Sequence, residues 1–142
     1  MISAADQKLL SLLHNDARAS ISDLARALGL SRSTVQNRIA KLENAGVIKG
    51  YVVEYGGEYL DELVCAHISI KVKQKKTATT NNKLRHISQI TALYAIGGEY
   101  DLIGVIETHS LAQLSRIIDD IGALDGVERT NSSIIMETKF KR

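Results

Sequence analysis

Residues 31–48 read SRSTVQNRIAKLENAGVI, and this stretch decides the fold of the N-terminal part of the chain. Ser31 is a favourable helix N-cap, and Gly46 is a typical C-terminal stop. Apolar residues between them recur at the spacing of one helical face: Val35, Ile39 and Leu42. The stretch therefore predicts a helix with one buried face and one long polar face.

Two shorter helices are predicted before it. Ser3 with Asp6, and Ser20 with Asp23, each have the spacing of a capping box. Gly29 interrupts the second helix shortly before Ser31, so the second and third helices have the spacing of a helix-turn-helix. Such a motif presents the start of its second helix to the major groove of DNA.

The polar face of the third helix carries side chains that suit DNA, namely Arg32, Ser33, Thr34, Gln36, Asn37, Arg38 and Lys41. Arginine recognises guanine through two donors, and glutamine and asparagine pair with adenine. We expect Ser33, Thr34, Arg38 and Lys41 to hold phosphates. On composition alone, the solvated face of an ordinary three-helix bundle is an equal alternative.

The segment Val47–Glu54 is rich in β-branched residues and precedes Gly56 and Gly57. It predicts a strand or hairpin that serves as both wing and linker. The expected organisation is a winged helix-turn-helix domain at residues 1–50, a linker or wing strand at 51–62, and a second domain at 63–142.

The second domain follows the order strand, helix, strand, strand, helix, strand. The expected strands are Val64–Val72, Ala92–Ile96, Tyr100–Thr108 and Val127–Phe140, and the expected helices are Asn82–Gln89 and one capped by Ser110. This order is typical of a ferredoxin-like βαββαβ unit, so the fold class is α+β. The lysine-rich residues 73–82 are expected to form a solvated loop that could add a nonspecific DNA contact.

Two helices cover only one face of such a sheet. Strands three and four have apolar residues in succession, at 102–103, 105–106 and 134–136, which indicates apolar side chains on both faces. We therefore expect at least a homodimer, built sheet against sheet. The alternative is two interior strands with different boundaries.

Composition limits the classes of function. The 142 residues have a net charge of +2, and residues 1–50 carry seven basic against four acidic side chains, so the N-terminal part is the one expected to meet a polyanion. The single Cys65, with no secretion signal and no apolar span, indicates the cytoplasm and no membrane. His67, His86 and His109 lack metal-ligand spacing, and phosphate-loop and nucleophile-elbow motifs are absent, so neither enzyme nor metal or cofactor is expected.

The chain resembles the Lrp/AsnC regulators, the feast/famine regulatory proteins, over nearly its whole length. The residues that carry the resemblance are 6–13, 21–30, 31–48, 50–51, 98–102, 126–127, 130 and 136–137. The resemblance implies a double-stranded DNA-binding domain joined to an AsnC-type effector-binding (RAM) domain. It also implies dimers that assemble into octamers, and an amino-acid effector.

In that family the effector lies in clefts between dimers, lined by a Gly-x-Tyr-Asp turn and the final strand. The resemblance nominates Gly98, Tyr100, Asp101, Thr130, Ser132 and Ser133. A carboxylate such as Asp101 can hold an α-ammonium group. The alternative is that Gly97 and Gly98 only permit a hairpin and Asp101 caps a strand end.

Two other functions are alternatives to a DNA-binding regulator. Sirohaem decarboxylases resemble the same two-domain architecture, but the chain has no tryptophan and its hairpin reads Gly98-Glu99-Tyr100-Asp101, without clustered histidines. The other alternative is an effector-binding protein without DNA affinity. The intact polar face between Arg32 and Lys41 argues against it.

Overall fold

A computed structural model describes residues 2–141, and the chain divides into two compact units, Met1–Glu54 and Tyr55–Arg142. The N-terminal unit contains α1 (Ala4–Asn15), α2 (Ile21–Leu28) and α3 (Arg32–Asn44). The C-terminal unit contains α4 (Gly57–Leu60), β1 (Val64–Val72), a 3-10 turn (Gln74–Lys76), α5 (Thr77–Arg85), β2 (Ile90–Ala95), β3 (Leu102–Thr108), α6 (Leu111–Gly122) and β4 (Val127–Ile134). No helix among residues 2–141 is long and apolar enough to cross a bilayer.

Serine hydroxyls start all three helices of the N-terminal unit, as the sequence predicts. Ser3, Ser20 and Ser31 each accept a hydrogen bond from the backbone N–H three residues on. The apolar faces of the helices meet in one core, formed by Leu9, Leu13, Leu24, Ala25, Val35 and Leu42. The polar face of α3 is therefore turned away from this core.

The C-terminal unit is a four-stranded antiparallel sheet in the order β2-β3-β1-β4. This is the strand order of a βαββαβ ferredoxin-like fold, so the predicted fold class is confirmed. Along β1, alternate residues from Ala66 to Val72 are buried beneath the helices, whereas His67, Ser69 and Lys71 face the other way. We call the side of the sheet that bears His67, Ser69 and Lys71 the open face.

The predicted wing strand is wrong for this chain. Residues 47–56 form no strand, and the side chains of Val52 and Val53 are 91% and 75% exposed. Extended backbone becomes a strand only when a neighbouring strand takes its hydrogen bonds, and the described part of the chain offers none to this segment. The β-branched composition of the segment does not reveal that a partner strand is missing.

The helix predicted at Asn82–Gln89 instead begins earlier, at Thr77, and the supposed lysine-rich loop forms a 3-10 turn followed by α5. Thr80 and Leu84, one helical turn apart, are 1% and 0% exposed and anchor the helix. Thr80 lies in the stretch 73–82 that is predicted to form a solvated loop, but its side chain is buried. Because Thr80 is part of the buried side of α5, the helix begins nearer to the N-terminus than predicted.

The last strand was predicted to reach Phe140 but ends at Ile134. Its partner β1 begins at Val64, and just past the strand the Ile135 N–H donates to the Cys65 carbonyl. Only Val64 of β1 lies beyond that bond, so β1 offers little further backbone for pairing. The apolar residues Ile135 and Met136 therefore follow the sheet rather than lying within it.

Candidate nucleic-acid interface and ligand site

The outward face of α3 presents most of the side chains that the sequence nominated for DNA. Five of them are exposed: Arg32, Ser33, Gln36, Asn37 and Lys41. They lie opposite Val35 and Leu42, which are buried in the core of the N-terminal unit. Amide side chains that can read base edges and cations that can hold phosphates thus share one surface of one helix.

The start of α3 is organised by hydroxyl groups. The Ser31 Oγ accepts from the Thr34 N–H at 3.2 Å and lies 2.7 Å from the Thr34 Oγ1 and 3.2 Å from the Ser33 Oγ. Thr34 is half-buried, so its hydroxyl serves the helix cap in this structure. Ser33 remains exposed and is placed where a phosphate could approach the helix start.

Arg38 differs from the other nominated residues because its charge already has a partner. Its Nη1 lies 2.9 Å from the Asp6 Oδ1, and both side chains are partly buried, 32% and 19% exposed. A hydrogen bond from the Ser3 hydroxyl, followed by Arg38, lowers the pKa of Asp6 from its ordinary value of 3.8. Arg38 therefore ties α3 to the first turn of α1, a contact between residues 32 positions apart that no local pattern indicated.

The second candidate site lies at the β2–β3 hairpin. Gly98 has φ +119, a conformation that favours glycine, and its turn brings Asp101 to the end of β1. The Asp101 carboxylate accepts from the Val72 N–H at 2.8 Å, and its Oδ1 lies 3.5 Å from the Lys71 Nζ. These two groups, the Val72 N–H first, lower the pKa of Asp101. Asp101 thus makes a strand-end contact, as the alternative to a ligand role expects.

Two basic residues beside the hairpin were missed by the sequence reasoning. The Arg129 guanidinium lies 2.6 Å from the Glu99 Oε1 and 5.0 Å from the centre of the Tyr100 ring. In the β1–β4 register Arg129 is opposite Lys71, so both basic side chains lie on the open face. Alternation along β1 could have placed Lys71 there, but only the strand order brings it beside the hairpin.

We call these residues the hairpin cluster: Lys71, Glu99, Tyr100, Asp101 and Arg129. It combines two carboxylates with two cations around one aromatic ring. Groups of both signs can bind the ammonium and carboxylate of a zwitterion. The carboxylates and cations are paired with each other here, so a ligand would have to exchange places with at least one partner.

The three nominated residues of β4 do not all join this cluster. Thr130 and Ser132 are opposite Ile70 and Ile68 of β1, so they lie on the helix-covered side of the sheet. Ser133 is opposite His67 and lies on the open face. His67 is five residues from Val72, which puts Ser133 about 17 Å along the sheet from the hairpin end. Consecutive strand residues alternate in direction, so the sequence already separates Ser132 from Ser133.

Both units match known protein families. Residues 2–49 match the winged helix-turn-helix DNA-binding family, and residues 65–142 match the Lrp/AsnC ligand binding domain. The chain belongs to the Lrp/AsnC family. It is accordingly a DNA-binding transcriptional regulator with a ligand-binding domain, and these matches favour that function over a decarboxylase of the same architecture.

Individual relatives of this Lrp/AsnC protein agree with the assignment. An uncharacterized HTH-type transcriptional regulator of Pyrococcus furiosus is 36% identical over 132 residues, covering 93% of this chain and 89% of the relative. The structure of E. coli AsnC superposes with a TM-score of 0.89 at 25% identity and covers 100% of this chain and 97% of that one. A feast or famine regulatory protein from M. tuberculosis, complexed with L-methionine, gives 0.88 at 30% identity, with coverages of 99% and 96%.

Proposed function

We propose that α3 reads operator DNA in the major groove and that a small-molecule effector, an amino acid, modulates this binding. The observation that carries the DNA-reading part is the exposed pair Gln36 and Asn37, flanked by the cations Arg32 and Lys41 on the side of α3 opposite its buried residues. The amides are suited to base edges and the cations to phosphates. A regulator acting on DNA in this way works in the cytoplasm of its cell.

We further propose that two copies pair through the open face of the sheet. Its apolar part lies on β2 and β3, where Ala92 is opposite Val105 and Tyr94 is opposite Ile103. Tyr94 is 57% exposed, so this part of the open face presents an aromatic ring beside aliphatic side chains to the solvent. A twofold dimer presents two recognition helices to two half-sites. Assembly of dimers into octamers rests on the family resemblance.

The amino-acid effector is supported by two observations of different kinds. The M. tuberculosis relative is complexed with L-methionine. The hairpin cluster of this chain places Asp101 and Glu99 beside Lys71 and Arg129, so groups of both signs face the same small region. We assign the ligand contacts to Gly98, Tyr100 and Asp101. On the geometry of β4, Thr130, Ser132 and Ser133 are weaker members of the proposed site.

A double variant, Gln36→Ala with Asn37→Ala, tests the proposed reading of DNA. Duplexes selected from a random pool by the wild type define its preferred sequence, and affinities of both proteins are then measured for that duplex and for a scrambled one. We expect the variant to lose about 1–3 kcal/mol per base contact on the preferred duplex while keeping its affinity for the scrambled one.

The matched control is Gln7→Ala with Ser11→Ala, which removes two exposed polar side chains from α1. It should bind both duplexes like the wild type. Arg38 is left intact because its loss would also break the contact with Asp6. An unchanged preference in the Gln36, Asn37 variant would remove α3 as the reading element.

A further inference from the structure

The segment that follows β1 concentrates the positive charge of the C-terminal unit. Residues 73–98 contain no aspartate or glutamate and five basic residues: Lys73, Lys75, Lys76, Lys83 and Arg85. Elsewhere in residues 51–142 there are six basic and twelve acidic side chains. The basic residues are thus segregated into one stretch of a unit that is otherwise acidic, rather than spread over its surface.

The fold turns this stretch outward. Thr80 and Leu84 are buried and fix one side of α5 to the sheet, whereas all five basic side chains are exposed. Gly126 lies directly against the helix, since a Cβ there would come within 1.8 Å of the Thr80 Oγ1. This close approach fixes the loop that carries Asp125 beside the basic residues.

The lysines converge on that loop. Lys76 pairs with Asp125, and Lys76 first, with smaller contributions from Lys73 and Lys83, lowers the pKa of the Asp125 carboxyl. A solvent-open depression of about 300 Å³ lies among them, lined in part by Lys75, Thr79 and Lys83. The Asp125 carboxylate therefore lies near several cations. Within residues 2–141, Lys75, Lys83 and Arg85 form no ion pair.

We propose that this basic surface, defined as Lys73, Lys75, Lys83 and Arg85, binds phosphates of the duplex DNA that flanks the operator. The inference rests on the proposed reading of DNA by α3, which brings a duplex to the protein. The exposed amides beside this basic surface, Gln74 and Asn82, lie on separate elements rather than side by side on one helix as on α3, so the surface suits the DNA backbone rather than bases.

The shape of the surface favours DNA over a small anion. α5 is nine residues long, or about 14 Å, and basic side chains lie before its start and at its end. A free phosphate would meet only part of such a length. A duplex presents one negative charge per about 1.7 Å of its axis, so several successive phosphates can face the helix.

The test uses the full-length protein and two duplexes, one ending at the edges of the operator and one extended by flanking DNA on both sides. The variant is Lys75→Gln, Lys83→Gln and Arg85→Gln together. We expect the variant to bind the short duplex with the affinity of the wild type and to bind the long duplex more weakly than the wild type does. On the long duplex the slope of log affinity against log salt should shrink by about 0.9 for each phosphate that the variant no longer neutralises, or up to about 2.7 per protomer.

The matched control is Arg116→Gln, Lys139→Gln and Lys141→Gln, which removes the same charge from exposed positions outside the basic surface. It should bind both duplexes like the wild type. The inference is overturned if the two triple variants lose affinity equally. It is also overturned if the Lys75, Lys83, Arg85 variant loses affinity equally on both duplexes, or loses none. Failure of the wild type to prefer its operator would instead overturn the proposed function of α3.

Discussion

The two candidate sites of this chain differ in how their residues are brought together. The DNA-facing side chains lie within ten consecutive positions of α3, between Arg32 and Lys41, and their directions follow from the helical repeat. The hairpin cluster joins Lys71 of β1, residues 99–101 of the hairpin and Arg129 of β4. A site on one helix is fixed by local spacing, whereas a site across a sheet depends on strand order and register.

The largest effect is expected from placing a charge on the open face of the sheet. Val105→Asp puts a carboxylate among Ala92, Tyr94 and Ile103, where two copies are proposed to meet. Burial of a charge costs several kcal/mol, and His67 opposite offers it at most one partner, so dimerisation should weaken at least a hundredfold. Sedimentation at micromolar concentration should show a monomer with an intact C-terminal fold.

Ser115→Asp is the matched control, because it adds the same charge to an exposed position of α6. It should sediment like the wild type. A Val105→Asp protein that remains a dimer would show that the open face is not the interface. In that case neither the ligand site nor the dimer interface of the C-terminal unit would be predictable from its sequence pattern, in contrast to the DNA-facing side of α3.

Helix caps and strand alternation made much of the fold predictable. The four serines at positions 3, 20, 31 and 110 accept the capping bonds that their spacing indicates. In β1 the sequence predicted which residues lie on each face, and the register confirms it. These signals act within a few residues of the atoms that they position, so a single sequence carries them.

Contacts between distant residues account for what the sequence did not predict. The wing segment has the composition of a strand but lacks a partner, and α5 is positioned by Thr80, which packs against Gly126 in the loop before β4. Lys71 joins the hairpin because β1 pairs beside β3, and Arg129 joins it because β4 pairs beside β1. Which of the nominated residues contact DNA or an effector remains a prediction.

A smaller effect is expected from Asp101→Asn, which separates the strand-end contact of this residue from its proposed contact with a ligand. The amide oxygen can still accept from the Val72 N–H, but the negative charge beside Lys71 is removed. If Asp101 holds an ammonium group, affinity for amino acids should fall about tenfold or more, since bonds to charged groups exceed those between neutral ones. Calorimetry with L-methionine and the other amino acids measures this change.

Glu107→Gln provides the control for that experiment, because it removes an exposed carboxylate from the far end of β3, the strand that follows Asp101, opposite Cys65. DNA binding without effector should be normal in both variants, and only Asp101→Asn should lose its response to ligand. Equal affinities in wild type and Asp101→Asn would leave Asp101 with the strand-end role alone.

The smallest effect concerns a contact in the N-terminal unit that local spacing did not indicate, between Asp6 and Arg38. The pKa of Asp6 is lowered in the folded chain, so the stability it contributes is present above its ordinary value of 3.8 and is lost as the pH falls through the lowered value. Asp6→Asn should therefore be less stable than the wild type at neutral pH, and the difference should vanish in strong acid. Hydrogen exchange of α1 amides over this pH range measures it.

Asp23→Asn is the control, because Asp23 makes an exposed pair with Arg26 within α2, and such pairs contribute little. A second readout distinguishes the ion pair from the helix cap that Asp6 shares with Ser3. Removal of the Asp6 carboxylate leaves the Arg38 guanidinium on α3 without its partner, so affinity for all duplexes should rise slightly and depend more steeply on salt. An unchanged salt dependence would show that Arg38 stays in contact with α1 and does not reach DNA. In that case α3 binds DNA only through the side chains whose directions its own sequence predicts.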